Sequence, residues 1–217
     1  MTRLFREGGA WVAEANGHHV RAGALLLATN AYHLAAPGLG RPQHVTVHYS
    51  QFATAPLPPE LRGEILPGGE GCWDTALVMS SIRTDKAGRL IVGGMGNEGG
   101  PSGPVHAGWA RRKLRRLYPR LGHLPFEHRW SGRIAMTGDH IPKVLAPGPG
   151  GLAVFGYSGR GIAPGTVFGT AAARALLEEA PERLPLPVTG QHGERFRGIR
   201  SAWLETGATL VHALPAG

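Results

Sequence analysis

The stretch "GYSGRGIAPGTVFGTAAARALLEE", Gly156 to Glu179, decides how this chain is read. It follows a short apolar run, "GLAVF" (Gly151 to Phe155), and passes through a glycine-rich turn into an alanine-rich helix, placed at Thr166 to Glu179 and ended by Pro181. A strand, a tight turn and a helix in that order aim free backbone N–H groups and the positive helix end at one place. Two readings stay open on these residues alone. The turn binds an electron-rich group, or it is a tight strand-to-helix connection that needs its glycines for backbone reasons. Gly159-Arg160-Gly161 followed by Gly165 approximates a dinucleotide phosphate loop, but the full fingerprint fails. That fingerprint requires a parallel strand after the helix and an acidic residue about 20 residues on. Glu178, Glu179 and Glu182 end the helix or follow it, and "PLPVTGQHGERF" does not read as a buried strand.

Upstream, "AWVAEANGHHVRAGALLLATNAY" (Ala10 to Tyr32) reads as a strand, an Asn16-Gly17 turn, a second strand and then a continuous apolar strand. Ala24 to Ala28 is apolar on both faces, the pattern of a strand in the middle of a covered sheet. "APGLGRP" (Ala36 to Pro42) follows as the first domain boundary. "HVTVHYSQFA" (His44 to Ala53) alternates as a half-exposed strand, and "TALVMSSIRTDKAGRLIVGG" (Thr75 to Gly94) gives two strands joined at Asp85 to Gly88. A helix around Arg111 comes next, and "FEHRWSGRIAMTGDHIPKVL" (Phe126 to Leu145) returns to strand character. The tail from Phe196 to Leu214 reads as a last helix with Ile199, Trp203 and Leu210 inward.

The 217 residues are 42% hydrophobic, enough for an ordinary core, and the 34 glycines and 18 prolines show no period. Cys72 is the only cysteine, which rules out an intrachain disulfide and fits a reducing compartment; with no signal-like opening and no apolar span, the cytoplasm is the expected location. The net charge of +8 and the run "RRKLRRLYPR" (Arg111 to Arg120) raise nucleic-acid binding. Trp109, Leu114, Leu117, Tyr118 and Leu121 recur at helical spacing, so the basic residues are expected on the outer face of an amphipathic helix, with no nucleic-acid or membrane partner. The histidines lack a third ligand at metal-site spacing, and no metal is expected.

Four landmarks, in order, resemble the FAD-dependent amine and amino-acid oxidoreductases, the D-amino-acid oxidase and glycine oxidase type, and most closely the gamma-glutamylputrescine oxidoreductase group. They are "LLLATNAY" (Leu25 to Tyr32), "DTALVMSSIRTDKAGRLIVGG" (Asp74 to Gly94), "WSGRIAMTGDHIP" (Trp130 to Pro142) and "GYSGRGIAPGTVFG" (Gly156 to Gly169). The resemblance implies an α/β fold of two parts. Residues 1–40 and 148–217 would form an incomplete FAD-binding domain, and residues 41–147 an antiparallel-sheet substrate domain. It also implies removal of a hydride from the carbon beside an amine, giving an imine from a small-molecule amine or amino acid. The glycine turn would then serve the pyrimidine side of the flavin, which explains its place late in the chain. The family's opening GxGxxG strand, turn and helix are expected to be missing here. The chain is then a fragment, or relies on another polypeptide for that half, or is a noncatalytic remnant or binding protein of the same fold without FAD.

On this resemblance, Thr29, Asn30, Gly156, Ser158, Gly159, Arg160, Gly161, Ile162 and Thr166 are the cofactor-binding candidates. No cysteine stands in the segment that holds flavin covalently in some relatives, so FAD is expected to be noncovalent, or absent from the isolated chain. Arg83 is the best substrate-binding candidate, as a guanidinium that can grip a carboxylate, and Lys143 the second; either can also be an ordinary strand residue. Ser81 stands where relatives carry an aromatic. No catalytic residue is assigned, because the cofactor performs the difficult step.

Overall fold

A computed structural model describes residues 1–33 and 43–215. The strands are β1 (Arg3–Glu7), β2 (Ala10–Ala15), β3 (His18–Ala22), β4 (Leu25–Leu27), β5 (Val45–Pro56), β6 (Cys72–Trp73), β7 (Ser80–Thr84), β8 (Arg89–Met95), β9 (Phe126–Met136), β10 (Lys143–Gly148), β11 (Gly151–Phe155) and β12 (Val188–Thr189). The helices are α1 (Pro59–Arg62), α2 (Gly103–Leu117), α3 (Ile162–Leu177) and α4 (Arg197–Ala213). Two compact units result: Met1–Thr46 with Ile134–Gly198, and Val47–Arg133 with Ile199–Gly217. Their edges depart from those expected. The second edge falls at Ile134 rather than 148, and the C-terminal helix goes with the middle of the chain. The stretch Ala36 to Pro42, expected as the first boundary, lies outside the described residues.

In the first unit, β1, β2 and β3 form an antiparallel meander. Asn16 and Gly17 turn β2 into β3 with φ of 51° and 79°, the left-handed pair that a two-residue hairpin requires. A second sheet has the order β12-β10-β11-β4, with β11 antiparallel to β10 and parallel to β4. Every residue of β11 is buried, and Val144, Leu152, Val154, Phe168, Ala172 and Ala175 form the core beneath α3. The apolar run at β4, expected mid-sheet, is an edge strand among the described residues, with Leu25–Leu27 half-buried. β12 runs parallel to β10 and therefore antiparallel to β11. The β11–α3–β12 connection is thus no parallel βαβ unit, in line with the failed fingerprint.

The second unit carries a five-stranded sheet of order β6-β7-β8-β5-β9, antiparallel at β6/β7, β7/β8 and β8/β5. One face packs Phe52, Leu90 and Val92 against Trp109, Ala110 and Leu114 of α2. Gly94 is required there, since a Cβ would lie 2.4 Å from the Trp109 ring. The basic face of α2 does more than meet water. Arg111 lies 4.6 Å over the Phe126 ring, and Lys113 bonds Asp74 at 2.8 Å. Leu117, expected inward, is 43% exposed.

Both late helices depart from expectation. α3 begins at Ile162 rather than Thr166. Pro164 fits the first turn, where its missing N–H has no partner to lose, and Gly165 N–H closes the turn on Gly161 O at 2.9 Å. α4 faces the other way from the prediction: Ile199, Trp203 and Leu210 are 71%, 72% and 64% exposed, while Ala208 and His212 are buried. No described helix is long and apolar enough to cross a membrane.

Candidate functional site

In the first unit the sheet delivers four chain segments to one corner. β4 ends at Leu27 and leads to Thr29, whose hydroxyl lies 2.9 Å from His33 Nδ1. Asn30 follows in the left-handed region, φ 47°, which an asparagine tolerates, and its Oδ1 accepts the Gly156 N–H at 3.0 Å. That bond ties the end of β4 to the end of its parallel neighbour β11. Gly156 has φ 83°, and a Cβ there would sit 2.6 Å from Thr137 Cγ2. Both backbone conformation and space therefore demand glycine.

Ser158 is a third left-handed position, φ 51°, and its backbone N–H donates to Ala135 O at 3.1 Å. Its hydroxyl donates to Gly156 O at 3.2 Å and accepts from Thr137 N–H at 3.3 Å. Thr137 is fully buried and donates its own hydroxyl to Ile141 O at 3.0 Å. Held this way, Gly159 (φ 88°), Arg160 and Gly161 arch outward, exposed, into α3. No side chain caps α3, and Ile162 at its first turn is 92% exposed. The corner thus offers open, uncapped helix N–H groups on a rigidly held turn.

Of the predicted cofactor residues, Thr29, Asn30, Gly156, Ser158 and the run from Gly159 to Ile162 belong to this corner. Thr166 lies a turn inside α3, with its hydroxyl bonded to Ile162 O at 3.0 Å. Its helix-end placement was wrong because the helix starts earlier. Lys143 belongs to the same unit, but its ammonium is 2.5 Å from Asp139 Oδ2. The Lys143 bond, aided by the Ile141 N–H, holds the Asp139 carboxyl down at about 2. The Lys143 ammonium is thus engaged by a carboxylate of the loop that precedes it.

Arg83 stands in the second unit, exposed on β7, with Ile91 as its cross-strand neighbour. Its sheet face is the one turned away from α2. Register places Tyr49, Gln51, Ser81, Arg83 and Gly93 there together. Tyr49 Oη donates to Ser81 Oγ at 2.9 Å, so an aromatic from β5 stands beside the serine that replaces the expected one. Burial pushes the Tyr49 hydroxyl up, against the opposing pull of the Ser81 bond. A Cβ at Gly93 would meet Ser81, Gln51 and Tyr49 within 2.5–2.8 Å, which makes Gly93 the floor of this face. Tyr49, Gln51 and Gly93 were not singled out from the sequence. Only the Gly93-Gly94 pair inside a strand signals them, as a place of close approach.

The sequence profile of the family described as "FAD dependent oxidoreductase" (DAO) matches residues 1–175. Two curated relatives are named "Probable oxidoreductase OrdL". That of Rhizobium meliloti (strain 1021) is 28% identical over 90% of this chain and 46% of its own length. That of Haemophilus influenzae is 27% identical over 75% and 37%. Among solved structures, L-proline dehydrogenase from P. horikoshii shares the fold at a TM-score of 0.59 and 19% identity, over 84% of this chain and 50% of that one. Glycine oxidase from Geobacillus kaustophilus does so at 0.55 and 18%, over 82% and 47%. The chain spans about half the length, or less, of the curated relatives it matches.

Proposed function

The chain belongs to the DAO family of FAD-dependent oxidoreductases, and from that premise we propose that it contributes the flavin-ring end and the substrate-facing sheet of an enzyme that oxidises the C–N bond of a small amine or amino acid to an imine. The observation that carries this reading is the uncapped α3 N-terminus, presented by a turn whose backbone is pinned by Asn30, Thr137 and Ser158.

The exposed corner fits the pyrimidine edge of a flavin. That edge gathers negative charge on reduction, and helix N–H groups and the positive helix end stabilise it. Gly159, Gly161 and Ile162 would form the contact, with Arg160 beside them, while Asn30 and Ser158 hold their backbone. Bound FAD supplies the acceptor for the hydride that leaves the carbon beside the amine. The first unit is then the flavin-binding portion and the second the substrate portion. On the second, Arg83 carries no side-chain bond among the described residues and is available to a carboxylate, with Tyr49 and Ser81 as polar neighbours. The narrower likeness to gamma-glutamylputrescine oxidoreductases rests on sequence motifs alone. A reducing, cytoplasmic setting is part of the same proposal and rests on the single cysteine.

The pyrophosphate and ribose contacts come, in this reading, from polypeptide outside this sequence, joined to it or separate. The test is the visible flavin spectrum of the chain purified alone and together with that polypeptide, each mixed anaerobically with candidate amines. Little flavin alone, and a bound flavin bleached by an amine in the assembled protein, supports the reading. An assembled protein that binds FAD and is bleached by no amine or amino acid would remove the substrate half of it; one that binds no FAD would remove the rest.

A further inference from the structure

α4 is fastened to the second unit by polar groups in the place where a helix usually buries its apolar face. His212, near its end, and His106 on α2 are both fully buried. Their Nδ1 atoms face each other at 2.8 Å. His106 Nε2 lies 3.2 Å from Glu205 Oε1, and the same carboxylate oxygen accepts the Asn97 N–H at 2.9 Å. His48 of β5 reaches the other Glu205 oxygen at 3.9 Å. The His212 ring stacks on Trp109, with centroids 3.9 Å apart and planes 10° from parallel. The positive groups near His212 are Arg112, which donates to the His212 carbonyl, and Lys113, which is engaged by Asp74. Gly96 closes the cluster, since a Cβ there would lie 2.2 Å from the His106 ring.

Hydrogen placement follows from these partners. A carboxylate only accepts, so His106 Nε2 carries the hydrogen that points at Glu205. In the neutral pair, His106 Nδ1 is then a lone pair and accepts from His212 Nδ1–H. His212 Nε2 is left unprotonated, and it is indeed buried without a hydrogen-bond partner. The two facing Nδ1 atoms share one hydrogen. With both rings charged, N–H would face N–H beside two cations.

We propose that the His106–His212 pair with Glu205 is a protonation-sensitive clasp that holds α4 on the second unit and releases it in acid. The direction agrees with the electrostatics: burial first, then His106, Arg112 and Lys113, lowers His212 to about 3. A group whose proton affinity falls on folding stabilises the closed state above its ordinary value near 6.5 and loses that contribution as the pH falls toward 3. In the one-proton limit the closed-to-open ratio drops about tenfold per pH unit below pH 6.

The test is amide hydrogen exchange of the 217-residue chain by mass spectrometry from pH 7.5 to 4.5, corrected for intrinsic rates. Protection of peptides covering Glu205 to Ala213 should fall at least tenfold more than that of β5 and β8. His212→Phe keeps an aromatic on Trp109 and removes the titration, and it should flatten this pH dependence. His106→Asn serves as a second variant should the first unfold, and should weaken the pH dependence by removing one of the two facing rings. Unchanged α4 protection across the range in the unmodified chain, or a folded His212→Phe or His106→Asn variant with the original pH dependence, would overturn the proposal.

Discussion

α3 and α4 are nearly equal in length, 16 and 17 residues, and both leave large apolar side chains in water, yet they are held by opposite means. α3 buries Phe168, Ala172 and Ala175, a run at i, i+4 and i+7 over β11. α4 buries Ala208 and His212, and shows Ile199, Trp203 and Leu210 to solvent. Apolar periodicity marks a helix and its stripe. It does not say that the stripe is the inner face, and a buried polar cluster can take that place.

Substitutions on the two helices should respond differently. The largest effect is expected at Phe168→Ala, which opens a cavity under α3 and should cost about 3 kcal/mol in urea unfolding, equally at pH 8 and pH 5.5. A loss that depends on pH would blur the distinction from α4. Asn30→Leu comes next. It removes the acceptor for Gly156 N–H and places a branched side chain at φ 47°, for roughly 2 kcal/mol and a loosened turn. A stability within about 0.5 kcal/mol of the parent, the range of ordinary surface substitutions, would mean that the turn does not depend on this tie.

Asp74→Asn probes the outer edge of the α2 network. Partial burial raises the Asp74 carboxyl, but the Lys113 and Ser80 bonds outweigh it and hold it at about 2. Its folded value lies below its ordinary one. The contribution is therefore present above pH 4 and lost as the pH falls toward 2. Since the carboxylate is about a third exposed, the loss at pH 7 should stay under about 1 kcal/mol. The smallest effect belongs to Trp203→Ser, within about 0.5 kcal/mol despite the large apolar side chain removed. A larger loss would show that the α4 stripe is buried in solution.

Much of the fold was legible because local chemistry left few choices. Asn16-Gly17 admits a tight hairpin, Asp85 to Gly88 another, and the apolar run in β11 needs cover on both sides. The start of α3 was misplaced by four residues (162 against 166) because glycines and a proline were taken as loop, although Pro164 and Gly165 fit a first helical turn. The glycine turn was legible as a place, and what pins it was not. Asn30 bonds Gly156 across 126 positions and Thr137 bonds Ser158 across 21, and no local pattern announces either tie. The face around Arg83 shows the same limit. The arginine is visible in "SSIRTD", while Tyr49, Gln51 and Gly93 join it only through strand register.

In the proposed function, the exposed turn and the open end of α3 meet the flavin ring. The most direct measurement compares two substitutions on one helix in the assembled, FAD-containing protein. Gly161→Phe fills the approach to the uncapped N–H groups, and Gly169→Phe enters open space two turns further on. With far-ultraviolet circular dichroism unchanged in both, Gly161→Phe should lose its visible flavin absorption and Gly169→Phe should keep it. Full flavin retention by a folded Gly161→Phe protein would contradict the account.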